Sequence, residues 1–273
     1  MEFQTLFSLN NSVAVVTGGS GILGGAMAQG LLDAGASVVI LGTNQEKVDS
    51  NVAGLHGTDD RKSGFVCDVT NEEQLRQVRD RIMARFGRID ILVNAAGGNR
   101  PGATIQPEQN FFDLNFSEFQ QVTSLNYFGT VLPTLVFGEP MAAAGRGSII
   151  NISSVAAARS LTRVAGYSAA KAAVENFTRW LAVEMAKKFG EGIRVNAIAP
   201  GFFLTEQNRT LLQKPDGTKT ERAAEILRMT PFKRFGDPKD LTGTVVWLAG
   251  NASSFVTGTV IPVDGGFSAF SGV

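Results

Sequence analysis

The sequence predicts an α/β protein: one Rossmann-like, doubly wound parallel sheet of about seven strands with helices on both faces. Three observations predict it. Seven short β-branched runs recur along the 273 residues, stretches of helical length separate them, and a glycine cluster directly follows the first run. The runs are nearly continuous in apolar character, as strands covered on both faces must be, whereas a sheet with one wet face alternates.

The strands are expected over SVAVVT (12–17), ASVVIL (36–41), GFVCDV (64–69), IDILVN (89–94), GSIINIS (147–153), IRVNAI (193–198) and TVIPV (259–263). After the first, TGGSGILGG (17–25) leads into a helical pattern that runs through Leu32. Before the fourth, Leu75, Val78, Ile82 and Phe86 fall at three- and four-residue intervals among charged residues, with Gly87 as a stop signal, which gives a helix with one buried face. The stretch 165–189 differs: Ala169, Ala172, Val174, Phe177, Trp180, Leu181, Val183 and Met185 lie nearly all round the helix. Such a helix is either a subunit interface or deeply buried within one chain. The segment 202–230 is polar, turn-rich and strandless, an excursion long enough to be a substrate lid. The strand–helix alternation does not break, so residues 1–273 are expected to form a single domain.

Composition removes several classes of function. The chain is 44% hydrophobic and 18% charged, with 25 basic residues against 25 acidic ones, and no run of one sign points to nucleic acid or a membrane surface. A single cysteine, Cys67, excludes an intrachain disulfide and a multi-cysteine metal cluster. The N-terminus MEFQTLFSLNN lacks the basic and apolar regions of a signal peptide, and no apolar run reaches the roughly 18–20 residues of a spanning helix. A cytoplasmic location is therefore expected. The only histidine, His56, lies in the polar stretch GLHGTDD, which disfavours a Ser-His-Asp triad and a histidine-ligated metal, so no metal is expected.

Glycines between a strand and a helix let the backbone approach a pyrophosphate, and the helix start offers unpaired N–H groups and a positive dipole end. Glycine-rich turns join many strands to helices, so it is the position of TGGSGILGG that gives it meaning. It lacks the Lys-Ser/Thr pair of a nucleoside triphosphate loop. Further on come CDVT (67–70), NAAG (94–97), SLNYFGT with Asn126, INISS ending at Ser154, YSAAK with Tyr167 and Lys171, and PGFFLT (200–205). With these motifs in this order the chain resembles, over almost its full length, the short-chain dehydrogenase/reductase family in its simple form. Ile22 stands where the family loop has its middle glycine, with Gly21 one position earlier.

The resemblance implies NAD(P)(H) as cofactor, held by Gly18, Ser20, Gly21, Leu23 and Gly24 in the loop, Thr43 and Asn44 after the second strand, Asp68 and Val69 at the adenine, Asn94, Ala95 and Gly97 along the cleft, and Pro200, Gly201 and Thr205 at the nicotinamide, together with Tyr167 and Lys171. Where NAD-preferring relatives carry an acid, this chain has Gly42 followed by Thr43 and Asn44. Nothing there repels a 2′-phosphate and nothing cationic clamps one, which leaves a slight lean to NADP(H).

Tyr167 and Lys171 are four apart on a predicted helix and project from one face. A phenol, with an ordinary pKa of roughly 10, is a poor base at neutral pH, and an ammonium nearby favours the phenolate. Ser154, thirteen positions before Tyr167, is placed to hold a substrate oxygen. Resemblance adds that Lys171 also holds the nicotinamide ribose and that Asn126 braces a water linking Lys171 to solvent. The expected reaction is reversible hydride transfer between a nicotinamide and a secondary alcohol or ketone, with Ser154, Tyr167, Lys171 and Asn126 as the catalytic group.

The loop 97–116 and the segment 202–222 should border the mouth of the site. FFLTEQNR and the closing VIPVDGGFSAFSGV resemble the D-mannonate oxidoreductase (fructuronate reductase) branch of the family, which implies a sugar-acid substrate. In that branch a histidine is expected where this chain has Arg100. A sugar carboxylate calls for a guanidinium, and Arg100, Arg159, Arg163 and Arg209 are the candidates, each of which is otherwise a solvated surface residue. A dehydrogenase for another polyol, a gluconate-like acid or an oxoacyl thioester would keep the catalytic group, whereas a redox-sensing binder would have no need of it. The family resemblance, with the all-round apolar helix, implies a homotetramer.

Overall fold

The computed structural model describes residues 3–205 and 208–273. Strand β1 (Val13–Thr17) feeds helix α1 (Ile22–Asp33), β2 (Ser37–Gly42) feeds α2 (Gln45–Gly54), and β3 (Lys62–Val66) feeds α3 (Glu72–Phe86). Strand β4 (Ile91–Asn94) leads through a long loop into α4 (Phe116–Thr123), a π-helical turn (Ser124–Phe128) and α5 (Gly129–Ala144). Then come β5 (Gly147–Ile152), α6 (Ala165–Phe189), β6 (Ile193–Pro200), α7 (Arg209–Leu212), α8 (Glu221–Met229), α9 (Thr242–Ala249) and β7 (Val260–Val263).

The strands form one parallel sheet in the order β3-β2-β1-β4-β5-β6-β7, the doubly wound α/β architecture the sequence predicts. The inner strands β1, β4 and β6 are buried along their whole length. On one face Leu31 and Leu32 of α1 meet Leu241, Val245 and Leu248 at and within α9. On the other, Leu75 and Ile82 of α3 pack with Phe137 and Met141 of α5 and Leu181 of α6. At roughly 1.5–3 kcal/mol for each fully buried large apolar side chain, these two layers are the main favourable term holding the sheet in place.

Strand β3 departs from its expected span. It begins at Lys62 and ends at Val66, two to three residues earlier than the apolar run suggests, and Lys62 and Ser63 pair with Val38 and Val39. As an edge strand with partial burial it tolerates polar residues at its start. Cys67 and Asp68 consequently lie beyond the strand, in the turn before α3.

The segment 202–230 carries the short helices α7 and α8 over a small apolar cluster of Leu212, Ala223 and Ile226 with Phe202, Leu204 and Phe235. Of the predicted lid, Glu206 and Gln207 lie outside the described residues. On α6 the apolar surface is not consumed within the chain: Trp180 is 61% exposed and Val183 56%. No described helix is long and apolar enough to cross a membrane, and the described residues contain no cluster of three or more His, Cys, Asp or Glu able to hold a metal.

Candidate active site

In a doubly wound sheet the strand order reverses between two neighbours, here β1 and β4, and a crevice opens beyond their C-terminal ends. The glycine loop fills the β1 side of it. Gly18 has φ 65°, and a Cβ there would stand 2.8 Å from the Ala95 carbonyl oxygen, so loop and β4 end in close contact. Thr17 Oγ1 accepts hydrogen bonds from the Ala95 and Ala96 N–H groups, both 3.1 Å, and fixes the NAAG segment to the end of β1. A Cβ on Gly24 would come within 2.3 Å of the Gly18 carbonyl oxygen, so this loop position also admits no side chain. Ile22, in place of the family glycine, is the first residue of α1 and 37% exposed, so its side chain stays out of the Gly18–Gly24 contact. Gly21, the N-cap, supplies no side-chain cap to the first-turn N–H groups. A backbone cradle of this kind, with a helix start behind it, fits a dinucleotide pyrophosphate.

The other residues expected at the cofactor differ in where they point. Thr43 and Asn44 are exposed at the end of β2, and Asn44 Oδ1 caps α2 by accepting from Lys47 N at 2.8 Å. A Cβ on Gly42 would lie 2.1 Å from Ser20 Oγ, so the serine hydroxyl occupies the space where an acidic side chain would leave the strand. Asp68 is exposed, its Oδ1 accepting from Thr70 N (2.8 Å) and Thr70 Oγ1 (2.7 Å), whereas Val69 is buried. Leu23 is partly buried against the core beneath α1. The Asn94 side chain faces the interior: its Nδ2 donates to Thr134 Oγ1 (2.8 Å) and Asn151 Oδ1 (2.9 Å), tying β4 to β5 and α5. Only the backbone of Asn94 borders the crevice. Pro200 is buried, and a Cβ on Gly201 would meet Asp264 Cα at 2.7 Å, which brings the ends of β6 and β7 together. Thr205 N donates to Asn208 Oδ1 at 2.8 Å.

Ser154, Tyr167, Lys171 and Asn126 converge from three elements beyond the ends of β4 and β5. Ser154, just past the end of β5, caps a short turn by accepting from Ala156 N at 3.2 Å, and it hydrogen-bonds the Tyr167 hydroxyl. Lys171, 4% exposed, donates from Nζ to the Ile152 carbonyl oxygen at 2.7 Å and sits 5.6 Å from the centroid of the Tyr167 ring. Asn126 is fully buried in the π-helical turn, its Nδ2 donating to Gly98 O (2.7 Å) and Val122 O (2.8 Å) while its Oδ1 accepts from Gly98 N (3.1 Å). Gly97 joins the two clusters, because a Cβ there would be 2.6 Å from Asn126 Oδ1 and 3.2 Å from Lys171 Nζ.

Burial sets the electrostatics of this group. Burial holds the Tyr167 phenol above its ordinary value, with the Ser154 hydrogen bond acting in the opposite sense. Burial also lowers the Lys171 ammonium to about 8. The Lys171 ammonium is bound to the Ile152 carbonyl, and burial is the largest influence on both groups.

Sequence reasoning passed over two residues. Glu175, one turn beyond Lys171 on α6, is buried and accepts from Ser153 Oγ (3.0 Å) and Arg179 (3.1 Å), which ties the serine next to Ser154 to α6. Its four-residue spacing from Lys171 was the available signal. The other is Arg222. Of the four candidate arginines, Arg100 faces Glu118 at 3.8 Å, Arg159 donates to the Ser268 carbonyl, and Arg209 is exposed on α7. Arg163 is part-buried, bonded to Ile105 O (2.8 Å) and Gln106 Oε1 (2.6 Å). Arg222 reaches from α8 to Thr162 beside it.

Residues 18–268 match the family model described as enoyl-(acyl carrier protein) reductase. An oxidoreductase of Bacillus subtilis (strain 168) called UxuB, itself uncharacterized, is 45% identical over 97% of this chain and 98% of its own. A crystal structure with bound NAD, of a protein from Haemophilus influenza provisionally called a D-mannonate oxidoreductase, is 41% identical over 100% of both chains with a TM-score of 0.91. A gluconate 5-dehydrogenase from Burkholderia cenocepacia J2315, in complex with NADP and tartrate, is 32% identical over 98% of this chain and 99% of that one with a TM-score of 0.85. With the sheet order, the glycine cradle and the Ser-Tyr-Lys-Asn group in place, these likenesses show that the chain belongs to the short-chain dehydrogenase/reductase family, as an NAD(P)-dependent oxidoreductase acting on CH–OH groups.

Proposed function

We propose that the protein interconverts a keto-hexuronate and a hexonate, in the manner of D-fructuronate and D-mannonate, using Ser154, Tyr167 and Lys171 as its catalytic group. The observation that carries the reading is the convergence of Ser154 on the Tyr167 hydroxyl, with Asn126 and Lys171 meeting at Gly97 beside the dinucleotide cradle. When bound, the nicotinamide supplies or accepts the hydride. Ser154 holds the substrate oxygen by hydrogen bonding, and Tyr167 gives that oxygen its proton as a carbonyl becomes an alcohol. Lys171 returns a proton to the phenolate, itself resupplied from solvent through a water that Asn126 braces. The loop 97–116 and the segment 202–230 then act as walls and lid, excluding water from the reacting atoms.

Supporting a sugar acid are the relatives described above and the arginines around the mouth. The acyl-carrier-protein description of the matching family model favours a second reading, an oxoacyl substrate, which needs an apolar channel rather than guanidinium groups. For the cofactor, the absence of an acid at Gly42 supports a slight lean to NADP(H), held back by the lack of a cation at Thr43 and Asn44 to clamp a 2′-phosphate. Exposed Trp180 and Val183 on α6 support a homotetramer with a single-domain subunit. A panel of uronates, aldonates, neutral polyols and oxoacyl thioesters, assayed with both nicotinamides, tests the proposal. A clear preference for uncharged substrates would sink it.

A further inference from the structure

The segment between Ser154 and Tyr167 holds more than a connection. Arg163, four residues before Tyr167, has φ 79°, a left-handed conformation that costs a side-chain-bearing residue energy and is kept where the surroundings impose it. The imposition is visible. Ile105 N donates to the Arg163 carbonyl at 3.0 Å, and Arg163 Nε returns a bond to the Ile105 carbonyl at 2.8 Å, so the loop after β4 and the loop before α6 are clamped together at this residue. The second bond of the side chain, from Nη2 to Gln106 Oε1 at 2.6 Å, is again to a neutral acceptor.

From the other side, half-buried Arg222 in the first turn of α8 sends its guanidinium to the neighbouring Thr162, to Oγ1 at 3.3 Å and to the carbonyl oxygen at 3.5 Å. Both contacts are long and both acceptors uncharged. Burial, and after it the positive charge of Arg163, holds Arg222 below the ordinary guanidinium value, while Glu225 on the same helix offsets this only in part. Two guanidinium groups thus meet at the Thr162–Arg163 segment, close enough for each to feel the other's charge, and no carboxylate among the described residues forms an ion pair with either. Like charges brought together out of water are unfavourable unless an anion lies between them, and a planar fork is the geometry that takes a carboxylate through two bonds.

We propose that Arg163 and Arg222 form a two-pronged anion subsite that grips the substrate carboxylate, one prong on the catalytic loop and the other on the lid. The assignment rests on the sugar-acid reading and narrows it. A carboxylate held there draws α8 onto the Thr162–Arg163 segment, so acid binding and lid closure are one event, and a neutral sugar closes the lid less well.

The test is steady-state turnover of D-fructuronate and of the neutral ketose D-fructose by wild type, Arg222→Gln, Arg222→Lys and Arg163→Gln, with the KM for the nicotinamide as a control. Loss of a charged hydrogen-bonding partner should raise the KM for the uronate about 10- to 100-fold in the Gln variants. Arg222→Lys, which keeps the charge and loses the fork, should fall between. The KM for fructose and for the nicotinamide should stay within about threefold. An unchanged uronate KM, or equal losses for uronate and fructose, overturns the anion subsite and leaves the sugar-acid reading standing, the second pattern marking Arg222 as a mere latch. Wild-type enzyme that turns over the uronate no better than fructose removes the sugar-acid reading and the subsite with it. Arg163→Gln also unties the two loops, so if it does not fold the Arg222 variants decide.

Discussion

Replacing Gly97 by alanine tests the join between the nucleotide cradle and the proton-transfer group. The added methyl would stand 2.6 Å from Asn126 Oδ1 and 3.2 Å from Lys171 Nζ, whereas real Cβ atoms essentially never come under 3.0 Å. Asn126 has nowhere to go. It is fully buried, and its amide is held by Gly98 through both Nδ2 and Oδ1 and by the Val122 carbonyl. Relief therefore takes either a broken buried hydrogen bond, at about 1–3 kcal/mol, or overpacking strain of similar size. Either should lower Tm by roughly 2–12 °C in a chain of this length. A displacement of about 1 Å at catalytic groups lowers turnover on the order of 100-fold. Differential scanning calorimetry and nicotinamide-linked absorbance read the two effects, with Gly243→Ala as the control: Gly243 is an exposed residue of α9 with nothing within 4 Å of its Cβ position. That control should gain about 0.4–1 kcal/mol. Wild-type Tm and kcat in Gly97→Ala would show that the asparagine and the ammonium do not meet at this residue.

Lys171→Met should be inactive and yet more stable than wild type at neutral pH. With the folded ammonium lowered from 10.5 to about 8, the unfolded chain binds the extra proton between those values, so this lysine's burden on stability is full below about pH 8 and relieved as pH rises toward 10.5. The gain from the substitution should reach about 3 kcal/mol and shrink over that window. Cys67, raised by burial to about 11, acts in the opposite direction, which is why the wild-type-minus-variant difference in urea unfolding is the quantity to measure. A difference independent of pH would contradict the buried ammonium. For cofactor choice, Gly42→Asp alone would drive its Cβ into Ser20 Oγ at 2.1 Å, so the double variant Ser20→Gly/Gly42→Asp is the informative one. It should shift the kcat/KM ratio toward NAD(H) by at least about tenfold, and an unaltered ratio would show that the end of β2 does not read the ribose.

The strands and the main helices were legible because each buries a face with a clear period. The continuous apolar runs of β1 and β6 and the one-sided stripe of α3 leave little choice of element. Strand β3 was legible only in part, because an edge strand keeps polar residues such as Lys62 that an apolar run does not reveal. The Ser154–Tyr167–Lys171 group could be read from spacing, since one helix face and one strand end carry it. Its electrostatics could not. Whether the ammonium faces the phenol oxygen or a carbonyl depends on where the end of β5 lies, and the Lys171–Ile152 bond is a three-dimensional fact. Arg222 escaped for a related reason: it sits 59 residues from Arg163 in a charged, helical stretch that resembles any solvated surface, and only the folding of α8 onto the catalytic loop brings it there. Asn94 illustrates the converse, a motif residue whose side chain supports the sheet while its backbone borders the crevice.

The central claim is that the Tyr167 phenol delivers the proton that accompanies hydride transfer, and Tyr167→Phe addresses it most directly. The substitution removes one oxygen, keeps the ring and leaves Lys171 bound to Ile152. Turnover of the best substrate found should drop by about 1,000-fold or more, while the reduced nicotinamide, titrated by fluorescence, binds within about threefold of wild type. Turnover within about tenfold of wild type, with cofactor affinity intact, would mean that another group supplies the proton.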